Sequence, residues 1–262
     1  MSSPQDRPVL ADHDGPVLRL TLNRPERLNA VSEALYAGLL ACLAAAESDD
    51  RTRCVLLTGM GRAFCAGADL KAHRDRERTA DEREAYVNLG QRVCARIQRI
   101  SIPVVAAVRG YALGAGAELA ISADFLVVAD DAQMGFPEVS LGTFVGGGVT
   151  HRLPRLVGLR RAAELLMLGE RFTGRQALEW GLAQAAPGSE ELDKVAAELA
   201  EQLAAKAPLP LARMKRRLAE TTTLDGALRG EASDLLAVMR TEDWAGGVAA
   251  FAERREPVFK GR

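Results

Sequence analysis

Short apolar runs separate helical patterns over the first half of the chain. Four of these runs have the length and composition of buried strands, and turn-forming or polar residues end each of them. The runs span residues 17–22, 54–58, 104–108 and 124–129. Between the runs, Ser32 can cap a helix that continues to about residue 46, and a second helix is predicted over residues 84–99. Strands that alternate with helices predict an α/β core built on parallel strands.

Helical patterns dominate the chain after Val157. They predict helices over residues 160–168, 173–180, 190–205, 209–221, 224–240 and 241–255. Residues 1–15 are polar and are predicted to be frayed. Because no long linker interrupts the pattern, we expect an α/β core over residues 1–195 that continues into a helical C-terminal region over residues 196–262.

The composition narrows the classes of function that the chain can have. Its 262 residues are enough for one sizeable core, and 48% of them are hydrophobic. A formal net charge of −1 gives no reason to expect binding to nucleic acid or to an anionic membrane. The N-terminus is polar and no apolar run approaches the roughly 18 residues of a membrane span. We therefore expect neither secretion nor membrane insertion, and we predict a cytoplasmic protein.

Cysteine and histidine are too scattered to suggest a metal site. No two cysteines form a CxxC pair, and the histidines show no metal-ligand spacing. The residues concerned are Cys42, Cys54, Cys65, Cys94, His13, His73 and His151. Because the cysteines lie in apolar or helical contexts, we expect free thiols in a reducing compartment, and we predict no bound metal.

One stretch in the middle of the chain carries candidate chemistry. The apolar run at residues 104–108 breaks at Gly110 and again at Gly114-Ala115-Gly116, after which a helical pattern begins. The first turn of a helix leaves backbone N–H groups unpaired, and small residues let a ligand oxygen approach them. Glu118 lies three residues after Ala115 and leans back toward those amides. Amides beside a carboxylate are two parts of an active site for acyl groups, although this turn could also serve only close packing.

Several other enzyme motifs are missing from the sequence. No G-x-G-x-x-G opens a helix after the first strand, and neither G-x-x-x-x-G-K-[ST] nor the nucleophile motif G-x-S-x-G occurs. We therefore expect neither nucleotide-dependent redox chemistry nor phosphoryl transfer.

Residues 74–84 are dense in charge of both signs. Such a pattern is typical of a solvated loop or helix face. A mobile cover over a pocket is the alternative, and the sequence alone leaves both interpretations open.

Three ordered motifs resemble the signatures of a known family. They are Gly-Arg-Ala-Phe-Cys-Ala-Gly-Ala-Asp-Leu-Lys at residues 61–71, Gly-Tyr-Ala-Leu-Gly-Ala-Gly-Ala-Glu-Leu at residues 110–119 and Phe-Pro-Glu-Val-Ser-Leu-Gly at residues 136–142. Asn23-Arg24-Pro25, Leu28-Asn29-Ala30 and Pro257-Val258-Phe259-Lys260 add to the match, which covers nearly the whole chain. The chain resembles the enoyl-CoA hydratase/isomerase (crotonase) superfamily, and its motifs are most similar to those of enoyl-CoA hydratase. Three spaced motifs are far more specific than one.

The resemblance implies a fold, a ligand and an assembly. The fold would be a crotonase-like α/β spiral of ββα repeats with a helical C-terminal region for trimerisation. The chain would then form a homotrimer or a dimer of trimers. The ligand would be an acyl-CoA thioester, with no cofactor beyond the CoA moiety of the substrate, no metal, no nucleic acid and no membrane partner.

The resemblance also assigns site residues. The backbone N–H groups of Ala68 and Ala115 would form an oxyanion hole, with Glu118 activating water and Glu138 delivering a proton. The second amide position is commonly Gly in the family, so the methyl group of Ala115 would narrow the entrance for the acyl chain. The residues expected along the CoA or the substrate are Arg27, Leu28, Ala66, Asp69, Leu70, Gly114, Pro137, Leu141, Phe259 and Lys260.

The acidic residues at both catalytic positions favour hydration of a 2-enoyl-CoA to a 3-hydroxyacyl-CoA. Isomerases of the family usually use one carboxylate at the position of Glu138, so Δ3–Δ2 enoyl-CoA isomerase is the alternative enzyme. A non-catalytic acyl-CoA binding protein on the same scaffold is the other alternative, and Glu138 itself could be an exposed acid in a turn. Acyl chain length, pathway and product stereochemistry stay open.

Overall fold

The computed structural model describes residues 7–69 and 78–262. Its strands are β1 (Val9–Asp14), β2 (Val17–Leu22), β3 (Cys54–Gly59), β4 (Val104–Val108), β5 (Tyr111–Leu113), β6 (Phe125–Val128), β7 (Gln133–Gly135) and β8 (Arg171–Thr173). Its α-helices are α1 (Glu33–Ser48), α2 (Ala80–Arg99), α3 (Ala115–Ser122), α4 (Val149–Val157), α5 (Leu159–Leu168), α6 (Gly174–Glu179), α7 (Leu192–Ala204), α8 (Pro208–Ala219), α9 (Leu224–Val238) and α10 (Glu242–Glu253). Two short 3₁₀ turns, Pro25–Arg27 and Pro137–Leu141, precede parts of the candidate site.

Two sheets form the α/β core. The larger sheet has the strand order β1-β2-β3-β4-β6, in which β1 is antiparallel to β2 and the remaining pairs are parallel. Every residue of β3 and β4 is buried, as expected for central parallel strands covered on both faces. The smaller sheet has the order β5-β7-β8. The expected α/β architecture is therefore confirmed.

The N-terminal expectation was wrong. Residues 9–14, predicted to be frayed, form β1 and pair along their whole length with β2. Only Val9 of this strand is buried, because β1 lies at the edge of the sheet. The pairing is made by the backbone, so the strand carries little of the apolar alternation by which a strand is recognised from sequence.

The predicted helices agree with the structure except near their ends. Three short strands, in contrast, were not predicted. Ser32 caps α1 by accepting a hydrogen bond from the N–H of Leu35 at 3.2 Å, as predicted. The charge-dense segment falls partly on residues 74–77, which lie outside the described residues, and its second half contains the first turn of α2. Strands β5, β7 and β8 were not predicted because three residues are too few to show a period.

One buried ion pair ties the C-terminal helices to the core. The Nζ atom of Lys215 on α8 lies 2.6 Å from the Oδ2 atom of Asp124, which precedes β6. The same Nζ atom donates hydrogen bonds to the carbonyl oxygens of Ile97 and Ile102, each at 3.0 Å. Three partners around one ammonium group fix α8 against the end of α2 and the start of β4.

The structure also bears on the expectations about free thiols, membrane spans and metal sites. Cys42, Cys54, Cys65 and Cys94 are all free thiols, and burial raises the pKa of each. Within residues 7–69 and 78–262, no helix is long and apolar enough to cross a membrane. The same residues contain no cluster of His, Cys, Asp or Glu that could hold a metal ion.

Candidate active site

The turn between β5 and α3 exposes the start of a helix. Gly114 has a φ of +52°, and α3 begins at Ala115, two residues before the predicted start. Ala115 is thus the first residue of the helix, and its N–H has no carbonyl four residues earlier to bind within the helix. The N–H of Gly114 donates to the carbonyl oxygen of Gly135 at 2.9 Å, which anchors the turn to β7.

The loop over residues 65–69 packs tightly against this turn. The N–H of Cys65 donates to the carbonyl of Tyr111 at 2.9 Å, and the N–H of Leu113 donates back to Cys65 at 3.1 Å. Gly67 has a φ of +98°, and a Cβ atom there would lie 2.7 Å from the carbonyl oxygen of Leu113 and 3.9 Å from the nitrogen of Ala115. The loop therefore brings the residue after Gly67 beside the start of α3.

Two backbone amides remain available at this junction. Among residues 7–69 and 78–262, neither the N–H of Ala68 nor that of Ala115 donates a hydrogen bond. Ala68 is held in place on both sides, because Val31 donates to the carbonyl of Gly67 at 2.8 Å and Asp69 donates to the carbonyl of Val31 at 3.3 Å. Paired donors on a rigid backbone can bind one oxygen of a ligand.

Glu118 lies on the first turn of α3 with only 8% of its surface exposed. Its Oε1 atom accepts a hydrogen bond of 2.6 Å from the N–H of Gly146. Burial raises the pKa of Glu118 to about 7; the Gly146 N–H opposes this shift, and the negative charge of Glu138 adds to it. A carboxylate with such a pKa can accept or donate a proton near neutral pH.

Glu138 is the second buried acid, so the alternative of an exposed turn acid is wrong. It lies in the 3₁₀ turn Pro137–Leu141 and is 9% exposed. Its Oε1 atom would lie 2.7 Å from a Cβ atom at Gly114, so the carboxylate approaches the turn that leads into α3. Its Oε2 atom is buried and has no hydrogen-bond partner among the described residues. Burial also raises the pKa of Glu138.

Several of the other predicted site residues lie near the 65–69 loop or the Pro137–Leu141 turn. The N–H of Ala66 donates to the carbonyl of Leu28 at 3.0 Å, so the turn that contains Arg27 lies beside the 65–69 loop. Asp69 is buried and forms an ion pair with Arg24 at 3.0 Å. Leu141 is exposed, at the end of the turn that Pro137 begins.

Three predicted residues are not joined to this junction by the described contacts. Leu70 lies outside the described residues. Phe259 lines an apolar groove of about 350 Å³ among the C-terminal helices. The N–H of Lys260 donates to Asp243 at 2.6 Å. Contact of these residues with CoA stays a prediction.

A glycine loop touches Glu118, although its residues were not among the predicted site residues. The loop is Gly146-Gly147-Gly148, which precedes the start of α4 at Val149, and Gly147 and Gly148 have φ values of +62° and +76°. The amide of Gly146 binds the carboxylate directly. A run of three glycines shortly after the third motif was the available signal, because such runs permit close backbone approach.

Two tyrosines near the acids were also missed. Tyr36 on α1 and Tyr86 on α2 have ring centroids 5.8 Å apart. Burial is the largest cause that raises the pKa of each, and the charge of Glu118 is one of the further causes. Both residues stand at helical positions that are typical of core packing, so no sequence pattern associates them with Glu118.

Replacing Glu118 with Gln should stabilise the fold at alkaline pH. The folded-state pKa of about 7 lies above the ordinary value of 4.5, so this group stabilises the fold below the ordinary value and loses that contribution as pH rises through 7. Gln stays neutral and can still accept the Gly146 N–H. We expect the variant to be about 2 kcal/mol more stable than the parent at pH 8 and nearly equal at pH 5, as measured by thermal unfolding.

Glu47→Gln is the matched control, because hydrogen bonding to the N–H of Ser101 lowers the pKa of Glu47. Its effect should have the opposite sign: the variant should be less stable than the parent at pH 8, with the difference shrinking at acid pH. Equal stability of Glu118→Gln and the parent at both pH values would contradict a raised pKa of Glu118.

Comparison with known proteins gives a consistent result. The model of the family described as enoyl-CoA hydratase/isomerase matches residues 12–262. The 1,2-epoxyphenylacetyl-CoA isomerase of Escherichia coli (strain K12) is 38% identical, with 97% of this chain and 98% of that one covered. The 2,3-dehydroadipyl-CoA hydratase of the same organism is also 38% identical, over 94% of this chain and 96% of that one.

A solved structure agrees with these sequence matches. The enoyl-CoA hydratase from Bacillus anthracis superposes with a TM-score of 0.93 at 34% identity, with 97% of this chain and all of that chain covered. The crotonase-like α/β fold that the resemblance implied is therefore confirmed.

Proposed function

The chain belongs to the enoyl-CoA hydratase/isomerase family, and from this premise we propose that it adds water across the 2,3 double bond of a 2-enoyl-CoA. The product is a 3-hydroxyacyl-CoA. The observation that carries the proposal is the pair of buried carboxylates, Glu118 and Glu138, beside two available backbone amides. The proposal includes an acyl-CoA thioester as substrate, no cofactor beyond its CoA moiety and a cytoplasmic location.

The amides of Ala68 and Ala115 stabilise the charge that develops during hydration. Attack of water on the β-carbon of an enoyl thioester moves negative charge onto the thioester oxygen. Two N–H donors aimed at this oxygen stabilise the enolate-like transition state by about 3 kcal/mol each. The fixed backbone around Gly67 and Gly114 means that little reorganisation is needed when the charge forms.

The two acids divide the proton transfers. Glu118, with a pKa of about 7, orients water and removes its proton as the oxygen attacks the β-carbon. Glu138 has a buried Oε2 atom without a partner among the described residues, so this atom is free to deliver a proton to the α-carbon. General acid–base assistance of this kind contributes about 10²–10⁴-fold to the rate.

Isomerisation of a 3-enoyl-CoA to a 2-enoyl-CoA is the second candidate. The different bonding of the two acids favours it, because Glu118 accepts a hydrogen bond from Gly146 while the Oε2 atom of Glu138 is unbonded among the described residues. A single free carboxylate is enough to move a proton between two carbons. A purely binding role is disfavoured, since a buried carboxylate oxygen without a partner costs stability and needs a functional reason.

Incubation of the purified chain with crotonyl-CoA tests the proposal. We expect loss of the ultraviolet absorbance of the conjugated thioester and a product heavier by one water molecule. A matched 3-enoyl-CoA separates the alternatives, because isomerisation increases the conjugated absorbance without a change in mass. Absence of water addition across short, medium and branched 2-enoyl-CoA substrates would contradict hydration.

We also propose that the chain forms trimers. Leu218 and Phe251 on the C-terminal helices are each 88% exposed, and Leu224 is 75% exposed. Exposed apolar side chains of this size are costly in water, and a closed cyclic assembly would bury them. Sedimentation velocity at micromolar concentration should give three or six times the 28.1-kDa mass of the chain, and a monomer would contradict the prediction.

A further inference from the structure

The glycine loop of residues 146–148 lies flat between two helices. A Cβ atom at Gly147 would lie 3.0 Å from the Sγ atom of Cys94 on α2 and 3.0 Å from the Cβ atom of Glu118 on α3. A side chain at position 147 would therefore push against both helices, and the φ of +62° adds strain for any residue other than glycine. The position of the loop therefore depends on what holds its backbone to α2 and α3.

Gln98 supplies that link from α2. Its Nε2 atom donates to the carbonyl oxygen of Gly147 at 3.2 Å and to the Oγ atom of Ser122 at 3.3 Å. The Ser122 hydroxyl in turn donates to the carbonyl oxygen of Glu118 at 2.7 Å. A carbonyl can only accept, so the NH₂ end of the Gln98 amide must face Gly147. One side chain thus connects the glycine loop to the helix that carries Glu118.

We propose that Gln98 is a positioning residue, which holds the glycine loop so that the N–H of Gly146 stays on the carboxylate of Glu118. Among the described residues, the hydrogen bonds of Gln98 go to the loop and to Ser122 and not to Glu118, so Gln98 acts through the loop. Its effect on rate rests on the proposed hydration, whereas its effect on the loop and on Glu118 does not.

The environment of Glu118 makes this hydrogen bond consequential. Glu138 is the acid whose charge adds to the raised pKa of Glu118, and the Gly146 N–H opposes that rise. The other titratable side chains that interact with Glu118 have pKa values raised mainly by burial, so they stay neutral near pH 7 and cannot replace the N–H. They are Tyr36 on α1, Tyr86 and Cys94 on α2, and Cys65 in the 65–69 loop.

Gln98→Met removes both hydrogen bonds and nearly keeps the size of the side chain. Loss of the Gly146 N–H from the Glu118 carboxylate should raise the pKa of Glu118 by about one pH unit. We expect this shift in a titration followed by carboxyl-resolved NMR without ligand. In crotonyl-CoA hydration, the acid limb of the kcat profile should move to higher pH by the same amount. At pH 7 kcat should fall roughly five- to tenfold, with KM changed less than about twofold.

Gln91→Met is the matched control on the same face of α2. The Nε2 atom of Gln91 would lie 3.5 Å from a Cβ atom at Gly146, yet this amide forms no hydrogen bond within residues 7–69 and 78–262. The control variant should leave the pKa of Glu118 unchanged. Ser122→Ala removes one of the two Gln98 contacts and should shift the pKa of Glu118 in the same direction by a smaller amount. This variant replaces Gln98→Met in the test if Gln98→Met does not fold.

The amide proton of Gly146 tests the route of the effect in the same NMR experiments. Its resonance should move in Gln98→Met as the hydrogen bond to the Glu118 carboxylate is lost, and it should stay in place in Gln91→Met. A shifted pKa of Glu118 with an unchanged Gly146 resonance, or a folded Gln98→Met variant in which Glu118 titrates as in the parent, would overturn the inference. If the shift occurs while the parent hydrates no enoyl-CoA, the positioning role stands and the proposed reaction fails.

Discussion

Glu118→Gln and Glu138→Gln are each expected to lower turnover by roughly 10²-fold or more, with little change in affinity for the CoA thioester. Gln is nearly isosteric with Glu and keeps an acceptor, but it can neither take nor give a proton at neutral pH. Steady-state hydration of crotonyl-CoA measures turnover, and binding of a saturated acyl-CoA measures affinity. If either variant hydrates crotonyl-CoA at the parent rate, the role proposed for that acid is wrong.

The same variants test whether the two acids act as a pair. Both carboxyls have raised pKa values, and the charge of Glu138 is among the causes for Glu118. Hydration should therefore fall on the alkaline side as the shared proton is lost. Glu118→Gln removes the like charge and should shift the titration of Glu138 downward. Independent titrations near the free value of about 4.3, unchanged by the substitution, would mean that the acids are too far apart to share one water.

Gly116→Ala is expected to disrupt the proposed oxyanion hole and to abolish most of the proposed hydration activity. A Cβ atom at position 116 would lie 2.0 Å from the carbonyl oxygen of Cys65 and 2.8 Å from its carbonyl carbon. Both are backbone atoms, so the 65–69 loop must move away from α3. Ala68 moves with the loop, and the two amides lose the spacing on which the proposed binding of one oxygen depends. We expect a loss of at least 10²-fold in kcat, together with destabilisation of about 2–4 kcal/mol.

Gly246→Ala is the matched control for this substitution. Gly246 also lies inside a helix, α10, but nothing lies within 4 Å of a Cβ atom at that position. Removing a glycine from a helix interior should leave activity unchanged and stabilise the fold by about 0.5–1 kcal/mol. Parent-like activity of Gly116→Ala would show that the loop and the turn are less tightly packed than this contact requires.

The sequence predicts the strands and helices that are both buried and long. It does not predict strands that are exposed, such as β1, or very short, such as β5. Strands β2 and β4 were predicted with their observed bounds, because β2 alternates apolar and polar residues and β4 is a continuous buried run of Val and Ala. Strand β1 was missed because an edge strand is specified by backbone pairing with its neighbour. The three-residue strands of the smaller sheet are positioned by the turns around them.

Some residues of the candidate site could be predicted from the sequence, and others could not. Glu118 and Glu138 were found through motifs, and the structure adds that both are buried. The Gly146 amide and the Gln98 side chain could not be found in this way, because a backbone N–H has no sequence signature and a single Gln on a helix usually faces solvent. Their contacts join segments far apart in the chain, so only the folded arrangement reveals them.

The ion pair between Asp124 and Lys215 has a consequence for synthesis on the ribosome. Asp124 is made long before Lys215, so the nascent core contains this carboxyl without its cation while the C-terminal helices are still being translated. Burial raises the pKa of Asp124 even with Lys215 present, so the desolvated carboxyl lacks its main favourable partner during that interval. Completion of the core is therefore coupled to release of about the last fifth of the chain, and a truncated product that ends before α8 would retain Asp124 without its ion-pair partner.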